Sequence, residues 1–512
     1  MNRLIQGLHF VTLIFMCTTF VYSQPAKVKW YPQVRTAKDQ RTLMLLNAGD
    51  AGFQLLRWQD SRTDANGAKT PALPLLTILT PGGERLHDEP LPGFEDGSKD
   101  FRFVLANDSV LLVVYEAPNS TGTQSLFARR LNLQTRKWSA APQVLFSDLS
   151  NRTPAFATTW FSRSDDKHRS CVYHMTGGQT PRITIAMLDE NLQLLWQRSV
   201  NLPEAPGARA MRQVFCGNKG SVLIHYQIFN PGARMQGQPY EATPAVYGAN
   251  GQSLYRNTEW VVEVEPYSDA ILLLNAAQDA PADFYPQLGK KFTPSFEISE
   301  GPDGRFYCAG FYSNESPDNA EGYFIYAIDP EKPEGTILKQ APFPGALRKV
   351  YLSKKAAANK EAVDGLSLRW LRWAADGRPW LLAERQNFEM SPGRIETATM
   401  LRMDSTFRVI TTREVEKYQR IQIGDAQNFA SLAAIPDEKN GWWLLWNQGN
   451  WPNSKLMLTE CGSRGTTVDH VVDNTARSNV SLLPQTIIRS GNTWYFVGES
   501  EYHERIRIGK LE

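Results

Sequence analysis

The feature that most constrains this chain is a hairpin written repeatedly: an apolar run, a short turn rich in Gly, Asn, Asp or Ser, and a second apolar run. It occurs as LMLLNAGDAGFQLLRWQ (Leu43 to Gln59), FRFVLANDSVLLVVYE (Phe101 to Glu116), QVFCGNKGSVLIHYQ (Gln213 to Gln227) and FEISEGPDGRFYCAGFY (Phe296 to Tyr312). It returns as LRWLRWAADGRPWLLAE (Leu368 to Glu384), LAAIPDEKNGWWLLWNQ (Leu432 to Gln448) and TIIRSGNTWYFVGE (Thr486 to Glu499). A weaker copy from Phe156 to Met175 makes eight.

Each hairpin is followed by two more extended segments, as in PRITIAMLDENLQLLWQRSVNL and GYFIYAIDPEKPEGTILKQ. The unit is therefore four antiparallel strands. One such sheet cannot bury both its faces, so units must stack, which predicts an all-β chain forming a single β-propeller over 24–512. Eight blades are expected. Seven is the competing count, because the third copy is weak and Ala242 to Gln287 is long enough to conceal an error. The last copy stops after Arg505 to Ile508, while Lys27 to Tyr31 (KVKWY) is an unassigned strand. Pairing the two would complete the eighth blade and remove two open edges. The one helical stretch expected, Ser353 to Val363 (SKKAAANKEAV), reads as an insertion between repeats.

Residues 1–23 carry Arg3, an apolar run from Leu8 to Phe20 and a Val21-Tyr22-Ser23 end, the pattern of a cleaved signal peptide. The run is too short and too rich in His and Thr for a membrane span. The protein is thus expected to be exported, to the periplasm or outer envelope, with secretion as the alternative. The chain ends without an evident sorting domain, which favours the periplasm. Lys and Arg (55) nearly balance Asp and Glu (53), leaving +2 and no field to gather nucleic acid or anionic lipid. Beyond residue 23 the cysteines are Cys171, Cys216, Cys308 and Cys461. They read as four buried thiols, although Cys171 and Cys216 could pair between neighbouring repeats.

In a propeller the turns joining first to second strands share one face, and those joining second to third share the other. Here the former are tight. The latter include Glu116 to Ser125, Phe229 to Pro244, Tyr312 to Gly322, Arg385 to Thr397 and Asn447 to Lys455. Long loops on a rigid frame are where binding surfaces are built, so the functional face is expected there.

Seven residues beyond each tight turn stand Gln59, Glu116, Gln227, Phe311, Glu384, Gln448 and Glu499. The plainer reading is structural: an amide or carboxylate accepting backbone hydrogen bonds where a ladder ends or a neighbouring blade begins. The sharper reading makes Glu116, Glu384 and Glu499 catalytic acids, a carboxylate pair for general acid–base work on carbohydrate. Aromatics and arginines in or beside the long loops supply ligand-binding candidates: Arg234, Tyr240, Tyr312, Arg385, Asn447, Trp451 and Tyr502, with Phe388 and Arg394 beside them. The strand tryptophans Trp370, Trp373, Trp380, Trp442, Trp443 and Trp494 read as packing. Asp165-Asp166-Lys167-His168 has the composition of a metal loop but reads as a solvated turn, and Asp303-Gly304 and Asp376-Gly377 as hairpin turns. Nucleophile elbow, phosphate loop, zinc helix and dinucleotide fingerprint are all missing, so no metal site and no cofactor are expected.

RPWLLAERQNF (Arg378 to Phe388), ATMLRMDSTFRVITTREVEKYQR (Ala398 to Arg420), LLWNQ (Leu444 to Gln448) and the terminal LLPQTIIRSGNTWYFVGESEYHERIRIGKLE resemble a group of uncharacterised exported β-propeller-like proteins of Gram-negative bacteria. The resemblance covers the C-terminal part and implies fold and export, without a reaction or catalytic residues. The expected role is a non-catalytic envelope-associated module holding a protein segment or glycan on its long-loop face. The alternatives are a carbohydrate hydrolase or lyase, and a scaffold subunit of an envelope assembly.

Overall fold

The computed structural model describes residues 28–511 except 64–68, 95–98, 108, 139–140, 148, 150–157, 177–181, 203–208, 229–234, 237–260, 263–267, 276–280, 290, 333, 388–392, 422–431, 438–440, 451–453, 463–466, 474–479 and 501–502. Among the described residues the chain is all-β and propeller-like, with eight antiparallel units of four strands: five stand as separate four-stranded sheets, one is extended to five strands by Val34–Arg35, and two are joined in a nine-stranded sheet through Gln419–Ile421, which pairs parallel with Gly441–Asn450. Their first strands are Gln40–Gly49, Asp100–Ala106, Thr158–Arg163, Arg209–Cys216, Phe292–Glu300, Leu366–Trp373, Leu432–Asp437 and Ser481–Ser490. The second strands are Gly52–Gln59, Val110–Pro118, Ser170–Thr176, Val222–Ile228, Phe306–Ser313, Pro379–Asn387, Gly441–Asn450 and Thr493–Glu499. These are numbered sheets 1 to 8 below.

The eighth sheet takes its third strand from Arg505–Leu511 and its fourth from Val28–Trp30, in the register Val28↔Leu511, Lys29↔Lys510 and Trp30↔Gly509. The N-terminal strand thus pairs with the last one, as its sequence predicts. Val34–Arg35 adds a second pairing to the same strand. Trp30 meets Phe496 edge to face at 5.3 Å, and Tyr31 meets Phe53 at 4.8 Å, so the segment is held by rings as well as by ladder bonds.

Burial follows position in the sheet. The second strand of sheet 4, VLIHYQI, is buried through Gln227, because sheets cover it on both faces. The fourth strand of sheet 3, LLWQRSVN, alternates half-buried with exposed, as expected of a strand at the rim. Apolar clusters fill the space between consecutive sheets: Phe103 and Val114 of sheet 2 meet Phe161 and Val172 of sheet 3. Another joins Leu45 and Leu55 of sheet 1 to Val497 and Ile508 of sheet 8, so the first and last sheets share a core. Trp380 is fully buried, and Trp370 and Trp442 meet at 5.0 Å with their rings tilted by 45° between sheets 6 and 7.

The insertion between sheets 5 and 6 departs from expectation. It holds two short helices, α1 (Gly345–Tyr351) and α2 (Lys354–Ala358), and the second ends well before Val363. Ser353 caps α2, its Oγ accepting from Ala356 N at 3.2 Å. Lys360, at φ 59°, turns the chain so that Val363 and Asp364 form a short strand against Asn319 and Ala320. α1 was not foreseen because seven residues carry too little periodicity. Its buried Arg348 anchors it, reaching the carbonyls of Glu361 and Glu321 at 2.8 and 2.9 Å.

Candidate functional site

The first strands carry a device that places charge beside the second-strand glutamates. In sheet 2 the register passes from Tyr115↔Phe101 to Val114↔Phe103, leaving Arg102 as a bulged residue without a cross-strand partner. Arg212 is skipped in the same way between Met211↔Tyr226 and Gln213↔His225 in sheet 4. So is Arg369 in sheet 6, between Leu368↔Ala383 and Trp370↔Leu382. A bulge re-aims its side chain, and each of these arginines turns its Nε onto the second-strand residue. Arg102 meets Glu116 Oε1 at 2.9 Å, Arg212 donates to Gln227 Oε1 at 2.6 Å, and Arg369 meets Glu384 Oε2 at 3.1 Å.

The rest of the neighbourhood closes each group in. Lys417, entirely buried, pairs with Glu384 Oε1. Burial pushes its ammonium below the ordinary lysine range, and Glu384 pulls it back. Glu499, 1% exposed, takes the Thr42 N–H at 3.0 Å and hydroxyl at 2.9 Å from the first strand of sheet 1, with His503 Nδ1 at 3.1 Å and Arg57 at 3.8 Å. This is the backbone-accepting role foreseen where one blade meets the next. Between sheets 4 and 5, His225 Nε2 lies 2.7 Å from Asp269 Oδ1, Thr293 Oγ1 donates to Asp269 Oδ2, and the imidazole stacks on Phe296 at 3.8 Å.

Glu116, Glu384 and Glu499 therefore sit on sheets 2, 6 and 8, each buried against its own cation. Each carboxylate is taken up by the donors of its own surroundings. Asn447, 3% exposed, is built into the seam between sheets 7 and 8: its Nδ2 donates to Leu482 O at 2.8 Å and its Oδ1 accepts from Leu482 N at 3.0 Å. Tyr312 is 7% exposed and packs in the core between sheets 4 and 5, its ring against Gly322, rather than standing in the loop. Arg385 does reach the surface, beside Asp364 at 3.7 Å and Glu396 at 3.9 Å. Arg234, Tyr240, Trp451 and Tyr502, together with Phe388, lie outside the described residues.

On the tight-turn face an open cleft of about 470 Å³ is lined by Asp166, His168, Arg169, Asp189, Glu190, Leu195 and Asn218. The Asp165–His168 stretch is the turn its composition indicated: Lys167 adopts φ 64° and Asp166 Oδ1 accepts from His168 N at 2.9 Å. His168 Nδ1 lies 2.7 Å from Glu190. Asn218 links three sheets, accepting from Asp166 N at 3.2 Å and donating its own N–H to Glu300 at 2.6 Å. Burial holds the Glu300 carboxyl above the usual range, with Asp165 and Asp166 adding to it against the Asn218 bond. Among the described residues no group of three or more His, Cys, Asp or Glu is placed to hold a metal ion, and no helix is long and apolar enough to cross a membrane.

No protein-family model matches the chain. No curated protein matches it either. Among solved structures, the polysaccharide lyase Uly1 is similar at 8% identity and a TM-score of 0.39, over 95% of this chain and 99% of that one. A mutant of the Synechocystis apocarotenoid oxygenase is similar at 12% identity and a TM-score of 0.32, over 96% and 94%. A putative 6-phosphogluconolactonase from Bacteroides uniformis stands at 13% and 0.33, over 79% and 95%. Likenesses this distant carry no argument about activity.

Proposed function

We propose that the protein is an exported, non-catalytic binding module of the cell envelope: one eight-bladed β-propeller, closed by its N-terminal strand, holding a protein segment or glycan on its long-loop face. The observation that carries this reading is the fate of the recurring carboxylates. Glutamates sealed against Arg102, Lys417 and Arg57 serve the frame. General acid–base work needs acids that exchange protons with a substrate, and these are held away from one. The resemblance of the C-terminal repeats to exported propeller-like proteins agrees with this placement, as does the signal-like leader.

Support for the long-loop face is the contrast in connections. Turns such as Ala374 to Arg378 close within a few residues, Ala374 N bonding Arg378 O at 3.0 Å. The connections from Gln59 to Leu73 and from Ser313 to Gly322 are longer, whereas Arg385 to Thr397, expected as a long loop, is mostly paired strand, Gln386 with Ile395 and Asn387 with Arg394. The test is affinity capture from envelope extract together with a glycan array, comparing the intact protein with a variant shortened between Phe229 and Pro244 and with Arg385→Ala. Loss of the same partner or glycan from either variant is the expected result. An unchanged binding profile in both moves the functional face elsewhere, and glycan turnover with loss of activity in Glu384→Gln replaces the binding reading with an enzymatic one.

A further inference from the structure

The seam between sheets 3 and 4 brings two thiols together. Cys171, in the second strand of sheet 3, has Ser162 as its cross-strand partner on one side and Met187 on the other, so the three form one row across the sheet. Cys216, at the end of the first strand of sheet 4, lies on that row. Its N–H donates to Ser162 Oγ at 3.1 Å and its Sγ is 3.8 Å from Met187 Sδ. The middle member of the row, Cys171, then stands between the two residues that Cys216 touches, on the face that Cys216 covers. Both are entirely buried in the same apolar cluster. Cys308 and Cys461 belong to other cores, between sheets 4 and 5 and sheets 6 and 7.

We infer that Cys171 and Cys216 are an oxidation site, two free thiols placed to become a disulfide that ties sheet 3 to sheet 4. The reaction is thiol–disulfide exchange with a donor disulfide, either a small molecule such as oxidised glutathione or an exchange protein. One cysteine, as its thiolate, attacks the donor and displaces one donor thiol. The second cysteine attacks the resulting mixed disulfide and displaces the other. Two electrons pass to the donor and two protons are released from the cysteines. Burial raises the Cys216 thiol well above its ordinary range, so the closed seam presents little thiolate. The exchange therefore belongs to the folding chain, before sheet 4 closes over sheet 3, and the finished bond is shielded from reductants by the same packing.

The full chain, reduced and unfolded, is refolded in a reduced/oxidised glutathione buffer, alkylated with N-ethylmaleimide in denaturant, and mapped without reduction. A Cys171–Cys216 peptide lacking two hydrogens, with maleimide on Cys17, Cys308 and Cys461, is the expected outcome. In Cys171→Ala the link vanishes and Cys216 becomes alkylated. Maleimide on both Cys171 and Cys216 of the refolded wild type overturns the inference, as does a link from either to Cys308 or Cys461. Mapping the chain exported into an oxidising compartment applies the same criteria where refolding is inefficient.

Discussion

At the scale of single residues, a buried charge stands or falls with its partner. Glu384 and Lys417 are both fully enclosed, with Arg369 as a third member. Removing one partner of such a pair strands the other in a medium that cannot hydrate it, at a cost of about 3–5 kcal/mol. Lys417→Met and Glu384→Gln are each expected to lower unfolding free energy by about that much in urea titration, and the double variant by clearly less than the sum. Additive losses would mean that the two side chains do not depend on each other. The tight-turn face gives a pH dependence of defined sign. The Glu300 carboxyl holds its proton more tightly folded than unfolded. Its contribution is thus full below the ordinary carboxylate range, about pH 4, and is lost as pH rises through its raised value. Glu300→Gln removes this titration, so its melting temperature should gain on the wild type progressively as pH rises above about 4. A difference that stays constant with pH contradicts this.

Single elements show what the sequence made legible and what it hid. The hairpins were legible because alternation and turn residues are local signals. The recurrence of Glu or Gln at second-strand ends was legible because the repeats align there. Their partners were not: Arg102, Arg212 and Arg369 occupy one-residue bulges, which no alternation pattern marks, and Lys417 arrives from a segment beyond its sheet's fourth strand. The only available signal was an arginine 14 or 15 residues before the acid or amide in sheets 2, 4 and 6. Turns between third and fourth strands hid a second device. Asp189 and Asp404 each take two backbone N–H bonds, and Leu192 and Phe407 then adopt φ near +60°, which lets their side chains fold into the intersheet cores. Non-glycine residues with positive φ are uncommon, so neither turn was foreseen. Phe407 packs on Tyr307 at 5.6 Å and Trp373 at 6.3 Å. Phe407→Ala is expected to cost about 3 kcal/mol, whereas loss under about 1 kcal/mol in chemical denaturation would mean that the ring is not part of the core.

At the scale of the whole molecule, sheets that pack only on their neighbours leave two uncovered faces unless the row closes on itself. The shared core of sheets 1 and 8, the Glu499 bonds to Thr42, and the pairing of Val28–Trp30 with Arg505–Leu511 all act at that junction. Deleting residues 24–36 uncovers Phe53 and Phe496 and opens a strand edge, so the shortened chain is expected to melt at lower temperature and to self-associate. Unchanged melting and a monomeric profile would deprive the terminal strand of its closing role. The most direct measurement uses the observed register Lys29↔Lys510. In Lys29→Cys/Lys510→Cys, a short bismaleimide should join the two ends rapidly and in high yield in buffer, giving a circular product of altered mobility, and should do so poorly in denaturant. Equal, low yields in both conditions would show that the termini do not meet, and the closed ring would have to be abandoned.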